Sequence, residues 1–263
     1  MCYAELAAVL GDARWPKEAE AAYLSAVALW KRLADSFRDR PNFRQELART
    51  YNSLGVLRFT SGRASEAEEP YRDALKVWEQ LVAEYDSVPD YRNGLAGALV
   101  NLAMVYNQRR DFAAAVPFLE KAQPHHEAAI KARPKNGTYR LFKRNNLQTL
   151  AQSYLGLGDH ARMATTADEM ARFGYDPPND TYIAACFLSR CISLAEKDAK
   201  LAEDKRKQLS QSYAEQALAL LRQAATRGFR NVSRLKQEPD LAPLRARQEF
   251  KKLLADLEGK TNK

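Results

Sequence analysis

A chain of 263 residues with 46% apolar side chains can bury a core and is too apolar to stay disordered over most of its length. It has no run of about 18 apolar residues, no basic start followed by a long apolar stretch, and only three cysteines, Cys2, Cys186 and Cys191, so neither a membrane span, a secretory signal nor a disulfide framework is expected. The net charge of +8 invites nucleic acid, but eleven basic against five acidic residues between Arg222 and Lys263 put most of the excess in the tail.

Glycine and proline number only 11 each, and Ala, Leu, Glu, Lys, Arg and Gln dominate, so local preference favours helix almost everywhere. In chain order the apolar period predicts a helix over 16–37, then helix pairs at 42–61 with 64–85, 90–109 with 112–132, and 138–157 with 160–173. Ser61-Gly62-Arg63, Arg109-Arg110-Asp111 and Gly156-Leu157-Gly158-Asp159 interrupt the period as tight turns, while Pro41, Pro89, Pro134 and Pro177-Pro178 punctuate the longer connections. Past residue 175 the pattern predicts helices at 180–197 and 203–226, a stop at Gly228, a short turn and a last helix at 247–258. Cys186 and Cys191, five apart in an apolar helical stretch, read as buried thiols.

Rows written 48 residues apart superpose Leu6, Leu54, Leu102 and Leu150, then Ala7, Gly55, Ala103 and Ala151, and further on Ala19, Ala67 and Ala115. Tyr23 and Tyr71, Trp30 and Trp78, and the aromatic-Arg pairs at Phe43-Arg44, Tyr91-Arg92 and Tyr139-Arg140 keep the same spacing. A small residue where two helices cross avoids a clash that a larger side chain would cause, so Gly55 and Ala67 mark a close contact, and Tyr71 and Trp78 fill the wider gaps. The run Leu54-Gly55, Gly62, Ala67, Tyr71, Ala74 resembles the tetratricopeptide (TPR) signature. Val88-Pro89-Asp90-Tyr91-Arg92, Tyr182-Ile183-Ala184-Ala185-Cys186 and Asp240-Leu241-Ala242-Pro243-Leu244-Arg245 resemble the TPR-bearing C-terminal region of certain bacterial serine/threonine protein kinases. The kinase domain is not in this chain: it has no Gly-rich loop, Val-Ala-Ile-Lys strand, His-Arg-Asp loop or Asp-Phe-Gly.

The expected fold is all-α, a TPR-like superhelical array of antiparallel helix pairs (an α-solenoid) over 1–175, with a further helical pair and C-terminal capping helices over 176–263. The resemblance implies that the first helix of each pair leaves its polar face open along a concave groove. Leu147, Leu150, Ala151 and Tyr154 form the packed face of one such helix, which leaves Asn145, Gln148, Thr149 and Gln152 open. The earlier equivalents are Arg49, Asn52 and Ser53, then Asn101 and Met104. Arg49, Asn52, Asn101, Met104, Asn145, Gln148 and Gln152 are therefore the candidate peptide-binding residues, because an amide offers both donors and an acceptor to an extended backbone. Asn52 and Asn101 are similar to the asparagines of TPR clamps for chaperone C-termini, but Asn145 and Thr149 stand where basic residues are needed.

Other constellations have plainer readings. His125 and His126 are adjacent and His160 is distant, against the i, i+3 or i+4 spacing of a helical metal site. Gly156 and Gly158 follow a helix and not a strand, which suits a hairpin turn and not a dinucleotide. Arg44, Arg92 and Arg140 read as structural pairs with nearby carboxylates and linker carbonyls, and the basic tail as a solvated face. The sequence thus predicts a cytoplasmic, non-enzymatic scaffold or adaptor for a protein or peptide partner, with no catalytic residues, cofactor, metal, nucleic acid or membrane contact. Alternatives are the detached regulatory region of a kinase system and an RNA-binding helical repeat. Since Leu6-Ala7 matches Leu54-Gly55, the chain is expected to start inside a repeat, leaving a seam at Tyr3, Leu6 and Leu10 open to self-association.

Overall fold

The computed structural model describes Glu5, Ala7 and residues 15–261, without the side chains of 260 and 261; Tyr3, Leu6 and Leu10 of the expected seam lie outside the described residues. The order is α1 (Pro16–Ser36), α2 (Pro41–Thr60), α3 (Ala64–Glu84), α4 (Pro89–Gln108), α5 (Phe112–Ala132), α6 (Gly137–Leu157), α7 (His160–Phe173), α8 (Pro177–Lys197), α9 (Glu203–Thr226), α10 (Val232–Gln237), a 3-10 turn (Pro239–Leu244) and α11 (Gln248–Thr261). Among the described residues there is no strand. Proline opens α1, α2, α4 and α8, where its missing N–H costs no intrahelical bond and its fixed φ suits the first turn. The stretch 229–247, expected to be a short turn, folds as α10 and the 3-10 turn.

Packing divides the chain into two compact units, Met1–Asn146 and Leu147–Lys263, with the division inside α6. In the first unit each helix from α1 to α5 packs on the next, and α2 also touches α4. The 48-residue period has a physical carrier here. Trp30 stacks on Phe43 at 6.2 Å and Trp78 meets Tyr91 at 6.1 Å, while Phe37–Phe43 and Tyr85–Tyr91 stand at 5.7 and 6.1 Å, so one aromatic cluster recurs from repeat to repeat. Gly55 is where α2 and α3 approach: a Cβ there would lie 2.4 Å from Tyr71 Cε1. Tyr71 belongs to a buried cluster with Ala67, Leu102 and Val105. One repeat earlier Ala7 packs with Ala22, Tyr23 and Leu54, the same small-residue-to-tyrosine arrangement. The tight turns also repeat: Gly62, Arg110 and Gly158 all take positive φ, at 79°, 62° and 71°. Arg110 thus holds a left-handed conformation that its repeat-mates leave to glycine.

Two of the repeated arginines, Arg44 and Arg92, hold the chain together. Arg44 makes a two-bonded pair with Glu84 at 2.6 and 2.7 Å, which holds the Glu84 carboxyl below its ordinary range. Arg92 Nε donates to the linker carbonyl of Asp86 at 2.6 Å. On α1, Glu20 takes Arg58 at 2.8 Å and Arg63 at 2.6 Å; burial would raise its carboxyl, but these hydrogen bonds and charges bring it below the ordinary value.

In the second unit α8 packs between α7 and α9, and the 3-10 turn and α11 close on α8 and α9. Cys186 and Cys191 are buried free thiols on α8, both pushed up to about 12 by burial, so neither is a reactive thiolate.

Candidate functional site

The first unit holds a cavity of about 420 Å³. Arg49, Asn52 and Ser53 of α2 reach it at i, i+3 and i+4, and Asp90, Asn93, Gly94 and Gly97 of α4 at i, i+3, i+4 and i+7, the spacings that keep side chains on one helix face. Trp78 of α3 and Tyr139 and Phe142 of α6 add aromatic walls. Two of these rings lie directly on bare backbone. A Cβ on Gly94 would stand 2.5 Å from Trp78 Cε2, and one on Gly97 would stand 2.8 Å from Phe142 Cε2.

Polar groups line the same space. Tyr139 donates its hydroxyl to Asp90 Oδ1 at 2.5 Å, and burial together with that carboxylate pushes the phenol up to about 12. Asn101 Nδ2 donates to Asn52 Oδ1 at 2.7 Å, so these two amides form a unit. Arg49, exposed at the mouth, reaches Glu46 at 3.2 Å. Asn93 is only 6% exposed, yet its Oδ1 has no hydrogen-bond partner. A buried orphan acceptor costs about 1–3 kcal/mol unless something supplies a donor.

Of the expected groove residues, Arg49 and Asn52 are walls of this cavity, and Asn101 supports it from behind through Asn52. Met104 and Asn145 are half-buried and are not among its walls. Gln148 and Gln152 belong to the second unit and line a different cavity there. Thr149, expected on the open face, is 6% exposed: α6 also buries Asn146 and Ser153, so its packed surface is wider than one apolar stripe. The sequence reading missed Asp90, Asn93, Gly94, Gly97, Tyr139 and Phe142. The signal was there in Asn93-Gly94 and Gly97, because glycine three residues from glycine inside a helix costs stability and needs a close approach to justify it.

Among the described residues no group of three or more His, Cys, Asp or Glu side chains could hold a metal ion, and no helix is long and apolar enough to cross a membrane. His126 is fully buried with both ring nitrogens unpartnered, and burial lowers it to about 3; His125 is half-buried and lowered for the same reason. His160 sits between Tyr213 Oη at 2.8 Å and Asp198 Oδ2 at 3.3 Å. The basic tail is exposed, as expected of it, with Arg222, Arg227, Arg230, Arg234, Lys236, Arg245, Lys251 and Lys252 all at the surface, and several of these cations also bond back to the chain. Arg227 donates to Ala171 O at 3.1 Å and Thr181 Oγ1 at 2.7 Å, Arg230 to Ala225 O and Phe229 O, Arg245 to Glu238 O at 2.8 Å, and Lys236 pairs with Glu258 at 2.5 Å. These cations fasten the C-terminal elements down.

The fold is an all-helical, TPR-like array, and the tetratricopeptide repeat family model matches residues 47–84 and 95–122; such repeats are typically protein-interaction scaffolds. Among solved structures the chain is similar to TTC0263, a thermophilic TPR protein of Thermus thermophilus, at 19% identity over 82% of this chain and 97% of that chain, with a TM-score of 0.37. It is similar also to BtubC (BKLC) from P. vanneervenii, at 21% identity over 91% of each chain, with a TM-score of 0.36. The comparison with curated proteins returns no match.

Proposed function

We propose that the chain is a non-enzymatic scaffold or adaptor that holds an extended peptide segment of a partner protein across the pocket of its first unit. The observation that carries this reading is Asn93, an amide buried at the pocket wall with an unused acceptor, beside the aromatic rings of Trp78 and Phe142 that pack on Gly94 and Gly97. An extended peptide offers an N–H and a C=O at each residue, and one asparagine amide answers both. The Asn52–Asn101 pair and Arg49 extend the polar contact along α2. On the resemblance noted in the sequence, the finer reading is the detached regulatory region of a serine/threonine kinase system, in the cytoplasm, with the repeats running to residue 175. An RNA-binding repeat is disfavoured, because Arg227, Arg230 and Arg245 of the tail, which would otherwise meet phosphates, donate to carbonyls of the chain itself.

A peptide selected from a displayed library against the wild-type chain tests the proposal. Asn93→Ala should weaken it at least about tenfold, the 1.4 kcal/mol expected of one lost buried hydrogen bond, while the far-UV spectrum stays helical. Undiminished affinity in Asn93→Ala would move the binding surface away from this pocket.

A further inference from the structure

The second unit carries a smaller cavity, of about 270 Å³, whose floor is Leu155, Ile183 and Phe187. Four residues of the two phrases set apart in the sequence past residue 175 line it: Tyr182, Ile183, Cys186 and Asp240. Its charges are the informative part. Asp240 is neutralised by Arg190 at 2.5 Å. Arg234 and Glu238, also on the wall, make no ion pair with each other or with any other described residue. Both are nonetheless held in place. Glu238 Oε2 accepts the Tyr182 hydroxyl at 2.8 Å, and its own carbonyl takes Arg245 at 2.8 Å. The Arg234 guanidinium lies 4.7 Å over the Tyr182 ring. Phe229 stacks on that ring at 4.4 Å, so Arg234 and Phe229 must take opposite faces. The backbone N–H of Arg234 is tied to Asn231 Oδ1 at 2.9 Å.

One buried aromatic ring therefore presents a cation over its face and an anion beyond its hydroxyl, close together but not touching, at the mouth of an apolar hole. A ligand matching this carries a carboxylate and an ammonium on neighbouring atoms and an apolar tail. A peptide cannot supply that, because its internal residues carry neither backbone charge and its two termini lie on different residues. The cavity is also below the roughly 300–1,000 Å³ of pockets for drug-sized ligands, which fits a single small metabolite. We propose that the second unit binds a free α-amino acid with an aliphatic or aromatic side chain, its carboxylate on Arg234, its ammonium on Glu238 and its side chain on Ile183, Leu155 and Phe187. Fixed charges carry little ordering cost on binding, since Tyr182 holds both before the ligand arrives. This site is independent of the peptide pocket.

Calorimetric titration of the full chain with L-leucine, L-methionine and L-phenylalanine tests it, with leucinamide lacking the carboxylate and N-acetyl-leucine lacking the ammonium. At least one amino acid should bind saturably, and the two derivatives of leucine should bind about tenfold or more weaker than leucine itself. Arg234→Gln should erase the difference between leucine and leucinamide, and Glu238→Gln that between leucine and N-acetyl-leucine. Glutamine at 238 still accepts the Tyr182 hydroxyl, so the fold is retained, as circular dichroism would verify. No binding by any of the three amino acids, or differences that survive both substitutions, would overturn the proposal, whatever the peptide experiment shows.

Discussion

Replacing Gly55 by alanine puts one methyl group where the structure has none to spare. The new Cβ would stand 2.4, 2.5 and 2.9 Å from Tyr71 Cε1, Cδ1 and Cζ, against an ordinary contact of 3.4 Å or more, so the ring or the helix must yield by about 1 Å. Tyr71 is 2% exposed and packed on Ala67, Leu102 and Val105, which leaves the ring no free direction. Overpacking of this kind costs about 1–3 kcal/mol, and the gain of about 1 kcal/mol from alanine's better helix propensity offsets part of it. The net is a loss of up to about 2 kcal/mol, or up to roughly 8 °C in Tm for a chain of this size. Thermal unfolding followed at 222 nm reads it, with Gly137→Ala as the control, since a Cβ there meets nothing within 4 Å and should leave Tm level or higher. In a Tyr71→Leu background the penalty of Gly55→Ala should shrink to under about 0.5 kcal/mol, because the ring atoms it strikes are gone. A raised Tm for Gly55→Ala, or a penalty that persists with leucine at 71, would refute the assignment of this contact.

Two further outcomes are expected. His126 is neutral in the fold, with its pKa lowered from 6.5 to about 3, while the unfolded chain takes up a proton below 6.5; stability is therefore full above pH 6.5 and falls as pH drops, by about 2–3 kcal/mol at pH 4.5. His126→Leu should flatten that part of a urea-denaturation pH profile and raise stability at pH 7 by removing two unpartnered nitrogens, whereas equal slopes for the two proteins between pH 4.5 and 6.5 would count against the buried neutral ring. Arg110→Gly relieves a non-glycine residue at φ 62° and should raise Tm by roughly 2–4 °C, about 1 kcal/mol; a lower midpoint would show that the arginine side chain outweighs its backbone strain.

The helices were legible because the chain punctuates them chemically: Pro41, Pro89 and Pro177 each open one, and Gly62 and Gly158 each turn one back. The period was legible because the same rings pack at each step, as Trp30 on Phe43 and Trp78 on Tyr91. What stayed hidden is short or depends on partners. A helix of six residues such as Val232–Gln237 is less than two turns and shows no period. Arg49 and Asn52 could be placed on an open face from spacing alone. Asn93 could not, because its value lies in what it fails to bond, and that depends on where Trp78, Tyr139 and Phe142 arrive from other helices. Asn101 looked free and is bonded to Asn52, a pairing across 49 residues that no single-helix wheel shows.

Three arginines of the C-terminal elements differ from three of the N-terminal helices in what they hold. Arg227, Arg230 and Arg245 grip the carbonyls of Ala171, Ala225, Phe229 and Glu238, whereas Arg58 and Arg63 grip the Glu20 carboxylate and Arg44 grips Glu84. A carboxylate lets go when it takes a proton, and a peptide carbonyl takes none at any pH a protein meets. With Glu20 and Glu84 both held below their ordinary value, these fastenings last until the medium is more acidic than a free carboxylate would need. The carbonyl clasps of Arg227, Arg230 and Arg245 do not register the change.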